Sequence, residues 1–329
     1  MLKTFDEVCN LINEGKLLQI AGAGSLLKKL PKGNWVGGTQ EHFLTEETGG
    51  TTTNEKLFVT QFGVDENKVK SFEIKEYNEV TIKDMPKDSH SNGFSIVIIP
   101  FGTSVFVEYS KNSINYEDIF LKNIVGWVSA YNLAQMANPI DAPLVFNGMT
   151  GEVLSDRAVV LHMEIDKTIS IGILNIFEAD EKSQVVTFPE ETISIKKAFI
   201  DGKEVDFLKY LEENNINLQN PLVGDYSGQN INCPFIPPFK DGIVTTGIPV
   251  QPGINYYFSK SVENYEKALV ESAKELENKE VIFTINCALN FAYGNLEGKK
   301  IKNISGPISF GEIAYKMLTQ TMVYVEVLN

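Results

Sequence analysis

The chain has 329 residues, 43% of them hydrophobic, and a formal net charge of −14 at pH 7 from 43 acidic and 29 basic side chains. That length and apolar content can fill a large core without staples, and the negative charge repels phosphate backbones and anionic lipid, so neither nucleic acid nor a membrane is an expected partner. Three widely spaced cysteines, Cys9, Cys233 and Cys287, give neither a disulfide framework nor a zinc site and point to a reducing, cytoplasmic compartment.

Charge appears at Lys3, so the N-terminus lacks the apolar core of a signal peptide. Thr4 with Glu7 is a capping-box pattern, and Phe5, Val8, Leu11 and Ile12 form an apolar stripe ending at Gly15, which predicts an opening helix. A buried strand is expected at 17–21, a helical turn at 25–30 stopped by Pro31, and strands at 34–36, 57–62, 80–83 and 94–101. The last is rich in β-branched residues and reads as central. Segments 157–165, 169–177 and 192–200 alternate well enough for a meander of antiparallel strands. Asp201-Gly202 signals a turn before a short helix, and the three prolines of 230–238 predict an ordered loop at a pocket edge. Ser261 caps a helix whose stripe is Tyr265, Ala268, Leu269, Ser272, Ala273 and Leu276; strands follow at 281–285, 301–304 and 321–328. The expected fold is mixed α/β, with mixed β-sheets covered by helices and two similar halves sharing one interface. Apolar runs are strand-length, too short to span a membrane.

Two glycine-punctuated segments follow strands and are the candidate binding turns. The first holds Gly37, Gly38, Thr39 and His42; the second holds Ser305, Gly306, Ser309, Gly311 and Glu312. Glycine lets backbone approach a ligand at strand ends, where open α/β sheets place their crevices. Both read as strand, glycine turn, small polar residue, aromatic, acid or amide, which suggests a remote duplication. Neither matches a phosphate loop, and Gly22-Ala23-Gly24 lacks the rest of a dinucleotide fingerprint. Ser25 does not sit in a nucleophile elbow. The histidines His42, His90 and His162 form no zinc motif, and no cofactor is expected. Cys287 reads either as a nucleophile or as an inert core thiol, and Glu312 either as a partner for a ligand amine or as a cap of its own turn.

At these residues the chain resembles the FIST domain family, an intracellular signal-transduction module with N- and C-terminal portions. Asp241-Gly-Ile-Val, Val250-Gln-Pro-Gly253, the strand closing at Cys287, and Gly306 with Phe310-Gly311-Glu312-Ile313 are similar to its C-terminal signature. Trp35-Val-Gly-Gly-Thr39 resembles its N-terminal turn. The resemblance implies an N-like domain over 1–204 and a C-like domain over 205–329. It also implies a small-molecule input protein, with amino acids or related metabolites as ligands, that works with a separate signalling output protein. The alternative expectation is a small-substrate enzyme of amidase or hydrolase type in which Cys287 and His42 converge.

Overall fold

The structure, a computed structural model, describes residues 1–63, 69–135, 141–226 and 229–328. Its body is three six-stranded sheets with one and the same strand plan. The first runs Leu2–Lys3, Leu57–Phe62, Leu17–Gly22, Trp35–Thr39, Val145–Asn147, Glu152–Leu154. The second runs Val69–Tyr77, Ala158–Ile165, Gly93–Pro100, Ile124–Ser129, Glu312–Ala314, Lys316–Leu318. The third runs Thr168–Leu174, Met322–Leu328, Glu280–Cys287, Gly306–Ser309, His42–Thr45, Gly49–Thr52.

In every sheet only the two central strands are parallel, and all other neighbours are antiparallel. A parallel pair needs a crossover, and each sheet supplies a helix for it: Gly24–Leu27, Ser104–Asn112 and Ala288–Tyr293. After the fourth strand the chain leaves its own sheet and pairs with the next. Thr39 leads to His42–Thr45 in the third sheet, Ser129 leads to Val145–Asn147 in the first, and Ser309 leads to Glu312–Ala314 in the second. The three units are thus interlocked in a ring.

One glycine recurs at the equivalent place in each unit, and its reason is steric. A Cβ at Gly37, Gly126 or Gly306 would collide with the carbonyl oxygen of Ile20, Val97 or Thr284 on the neighbouring parallel strand. The two glycine segments singled out in the sequence are therefore equivalent in space, and a third copy, around Gly126, joins them.

Packing follows the same plan. One cluster fills the space between the sheets, drawing Val36 and Phe58 from the first, Phe94, Ile98 and Trp127 from the second, and Phe43, Phe283, Ile285 and Val323 from the third. Each outer face is closed by its own helices, with Val8 and Ile12 on the first sheet, Val105 and Tyr109 on the second, and Leu269, Ala273 and Phe291 on the third. Between Thr168–Leu174 and Glu280–Cys287 the third unit carries a long insertion with its own six-stranded sheet and the pair Thr192–Ile195 and Val244–Val250. A division at 204/205 falls inside the strand Lys203–Asp206, and residues on both sides of it share the second and third sheets. No helix of the described residues is long and apolar enough to cross a membrane.

Several local expectations are met. The opening helix is Phe5–Asn13; Thr4 N donates to Glu7 Oε2 at 2.7 Å and Glu7 N to Thr4 Oγ1 at 3.4 Å. Gly93–Pro100 is an interior strand of its sheet. Others are corrected. Residues 80–83 lead into a 3-10 turn, Ile82–Asp84, and Asn78 fastens that turn by accepting from Val80 N and Thr81 N. Ala158–Ile165 and Thr168–Leu174 are both strands, but they pair in different sheets and form no meander. Part of the expected loop 230–238 is the strand Gln229–Cys233, and the late helix is capped by Asn264 in place of Ser261. The expected strand 301–304 lies five residues early: the strand is Gly306–Ser309, the position where the glycine allows close pairing.

Candidate functional site

Because the units are equivalent, the body has three equivalent corners. Each is built from the turn after one unit's third strand, the end of its fourth strand, and the segment leaving the next unit. Two of them are filled by rings.

At the second corner Phe101 and Phe310 meet with centroids 5.3 Å apart, Phe106 lies 5.1 Å from Phe101, and Tyr131 lies 5.4 Å from Phe310. At the third, His42 packs on Phe291 at 5.3 Å. Leu133 N can only donate, and it bonds His42 Nε2 at 3.0 Å, so Nδ1 carries the proton and donates to Thr52 Oγ1 at 2.9 Å. Thr52 passes its own hydroxyl proton toward Glu297 Oε2 at 2.7 Å. Burial lowers the His42 pKa, which agrees with a neutral ring whose two nitrogens are both occupied.

The first corner is open. Four residues beyond Val97 stands Phe101, and four beyond Gly306 stands Phe310; four beyond the equivalent Ile20 and Gly126 stand Gly24 and Ala130. Small residues thus replace the two plugging rings, and a crevice of about 320 Å³ remains. Gly24, Ser25 and Lys28 form one wall, Thr39, Gln40 and Glu41 the floor, and Tyr131, Asn132, Asp141 and Leu144 the far side.

Its lining is braced where the backbone is buried. Thr39 Oγ1 accepts from Leu144 N at 3.0 Å, and Ala130 N donates to Thr39 O at 2.9 Å, tying the second unit to the first. Gln40 is fully used, its Nε2 donating to Ile308 O and its Oε1 accepting from Glu41 N and His42 N. Asn132 Nδ2 donates to Glu41 Oε2 at 2.7 Å and holds that carboxylate at the rim. Partial burial raises the Tyr131 phenol pKa and keeps it a neutral hydrogen-bonding group. Lys28 and Asp141 are exposed, and among the described residues neither makes an ion pair. The crevice therefore offers charge of both signs over a fixed floor, at the carboxyl ends of parallel strands, where α/β sheets place ligands.

The two predicted segments do meet: Pro307 lies opposite Phe43 and Gly306 opposite Leu44 in the third sheet. They meet as packed strands. Of the predicted residues, Thr39 alone lines the open corner, while Ser305 lines a second hollow of about 410 Å³ walled by the strands around Phe58 and Phe283. Gly37 and Gly306 serve close strand pairing, Gly38 packs against Ile98 and Trp127, and Gly311 O accepts from Val128 N at 3.0 Å. Cys287 is 2% exposed and its thiol pKa is pushed well up by burial and by the neighbouring Glu312. His42 is bonded elsewhere, so the pair does not form a nucleophile and base.

Glu312 is fully buried, and Oε2 accepts from Thr321 N at 3.2 Å and Thr321 Oγ1 at 2.9 Å; burial pushes its pKa to about 8. His162 matches its reading as a bonded core residue, with Ser95 Oγ 2.8 Å from Nδ1 and Tyr77 Oη 3.0 Å from Nε2. Sequence reasoning missed Lys28, Glu41, Asn132 and Asp141. The signal that could have found them is the third copy of the glycine unit, Val125-Gly126 through Asn132, which places them around one strand end.

No curated protein matches the sequence. A family model matches residues 3–328: the chain belongs to DUF6976, a family of unknown function.

Proposed function

We propose that the protein is an intracellular small-molecule-binding, signal-input protein whose ligand occupies the open first corner. The observation that carries this reading is the difference between corners: Phe101 and Phe310 fill the second and His42 on Phe291 packs the third, whereas at the first Gly24 and Ala130 stand at the positions of Phe101 and Phe310 and a crevice remains. A crevice of about 320 Å³ suits a compact metabolite, and Lys28 opposite Asp141 and Glu41 suits one that carries both an acidic and a basic group, such as an amino acid. The FIST-like segments support a sensory role in the cytoplasm, with a separate output protein as partner.

The reading is tested by a thermal-shift screen of amino acids and related metabolites against wild type and a Lys28→Ala variant. Binding to the native state alone raises apparent stability by about 2.7 kcal/mol at a hundredfold excess over Kd. A shift in wild type that shrinks in the variant supports the proposal. A shift of equal size in both places the ligand elsewhere and overturns it.

A further inference from the structure

The shared strand plan is cut short at one edge. In the second sheet Ala158–Ile165 is flanked by the nine-residue strand Val69–Tyr77, and in the third Met322–Leu328 is flanked by the seven-residue strand Thr168–Leu174, both antiparallel. The equivalent strand of the first sheet is Leu2–Lys3, which pairs only with Phe58 and Leu57. Past it the edge of Leu57–Phe62 runs on beside the hollow of about 410 Å³, whose far wall is 281–284. Met1 N donates to Val59 O at 3.0 Å and Val59 N to Met1 O at 2.9 Å, so the main-chain groups of Val59 point to this edge. By the two-residue alternation of an antiparallel ladder those of Gln61 do too, and among the described residues neither has a partner. Side-chain burial tells the same story: Thr60 is half-buried, whereas its equivalents Leu161 and Val325 are fully buried.

We propose that this edge docks an extended segment of a partner protein, which adds as a strand antiparallel to Leu57–Phe62. The other two units specify its chemistry. In the places that would face 60, 61 and 62 the second sheet has Ile74, Glu73 and Phe72, and the third has Ile171, Ser170 and Ile169. The outer two of each set pack on the central core, and the middle one is polar. The docked segment therefore reads large apolar, polar, large apolar over about 10 Å of strand. Its apolar side chains enter the hollow beside Phe58 and Phe283, and its middle residue exchanges two main-chain bonds with Gln61. Within this chain the segments of that pattern named above, 72–74 and 169–171, are already built into their own sheets, so the occupant comes from another protein. An unpaired edge is what natural sheets otherwise cover. The site is separate from the open first corner and does not rest on the ligand reading.

The test uses the full chain and a fluorescein-labelled peptide that copies residues 70–76, with fluorescence anisotropy for binding and hydrogen exchange for its location. Saturable binding, with the Gln61 amide exchanging at least about tenfold more slowly, is the expected result. The same peptide N-methylated at Glu73 cannot donate to Gln61 O, and one carrying Phe72→Asp and Ile74→Asp cannot fill the hollow; each should bind at least about tenfold more weakly. No saturable binding, binding that leaves Gln61 unprotected, or equal binding of the three peptides overturns the proposal. Protection of Gln61 by concentration-dependent dimerisation without peptide assigns the edge to a second copy of the chain and also overturns it.

Discussion

The buried carboxyl of Glu312 makes stability fall as pH rises. Its pKa moves from 4.5 to about 8 on folding, because a fully buried carboxylate loses hydration and the two bonds from Thr321 do not restore it. Between those values the unfolded chain releases a proton that the folded chain keeps, so the folded state binds more protons and each added pH unit costs about 1.4 kcal/mol. From pH 5 to pH 8 the loss amounts to about 3 to 4 kcal/mol once the ends of the titration are included. Glu312→Gln keeps the shape and the acceptor toward Thr321 but cannot ionise. Urea unfolding of both proteins at pH 5 and pH 8 isolates this group, because every other titration cancels in the difference. The variant should gain on wild type by that 3 to 4 kcal/mol across the interval. An equal change in both proteins would refute the argument that Glu312 is held neutral by the core.

His162 works in the opposite direction at acid pH, since burial among Ser95, Tyr77 and Ser89 lowers its pKa to about 4. The unfolded chain then takes up a proton that the folded chain refuses, and stability falls as pH drops from about 6.5 to about 4. The NMR titration of its ring should have a midpoint near 4; a midpoint near 6.5 would contradict the described network. Gly126→Ala drives a methyl group into the Val97 carbonyl oxygen and should destabilise by about 3 kcal/mol or more, seen as a lower urea midpoint, whereas Gly102→Ala, at an open turn with φ 75, should cost about 1 kcal/mol. Equal costs at both glycines would show that the strands are not in van der Waals contact there. Thr39→Val removes the acceptor for Leu144 N and should cost about 1 kcal/mol of stability, with faster amide exchange at Leu144 as the specific readout.

What the sequence made legible was local. Thr4 and Glu7 define their cap within four residues, and the β-branched run of Gly93–Pro100 announces an interior strand whatever its partners are. Pairing was not legible, because Ala158–Ile165 and Thr168–Leu174 are consecutive strands that the ring sends to different sheets. The likeness of the two glycine segments reflected real equivalence, and it looked like a duplication because the third copy hides. Where the first has a second glycine the third has Trp127, and its exit strand begins only at Val145. With the third copy unseen, the corners could not be compared. Glycine at a strand end was therefore read as a ligand contact, when at Gly37 and Gly306 it answers to a carbonyl oxygen. Lys28 and Asp141 carry no motif at all, and only the meeting of two units puts them across one crevice.

The claim on which the account turns is that one corner of the ring was left open for a ligand. Gly24→Phe restores the missing plug at the position equivalent to Phe101, and mass spectrometry of small molecules released from natively purified protein compares the variant with wild type. A metabolite carried by wild type and absent from a folded Gly24→Phe protein is the expected result; the same metabolite carried equally by both would show that the open corner does not hold it.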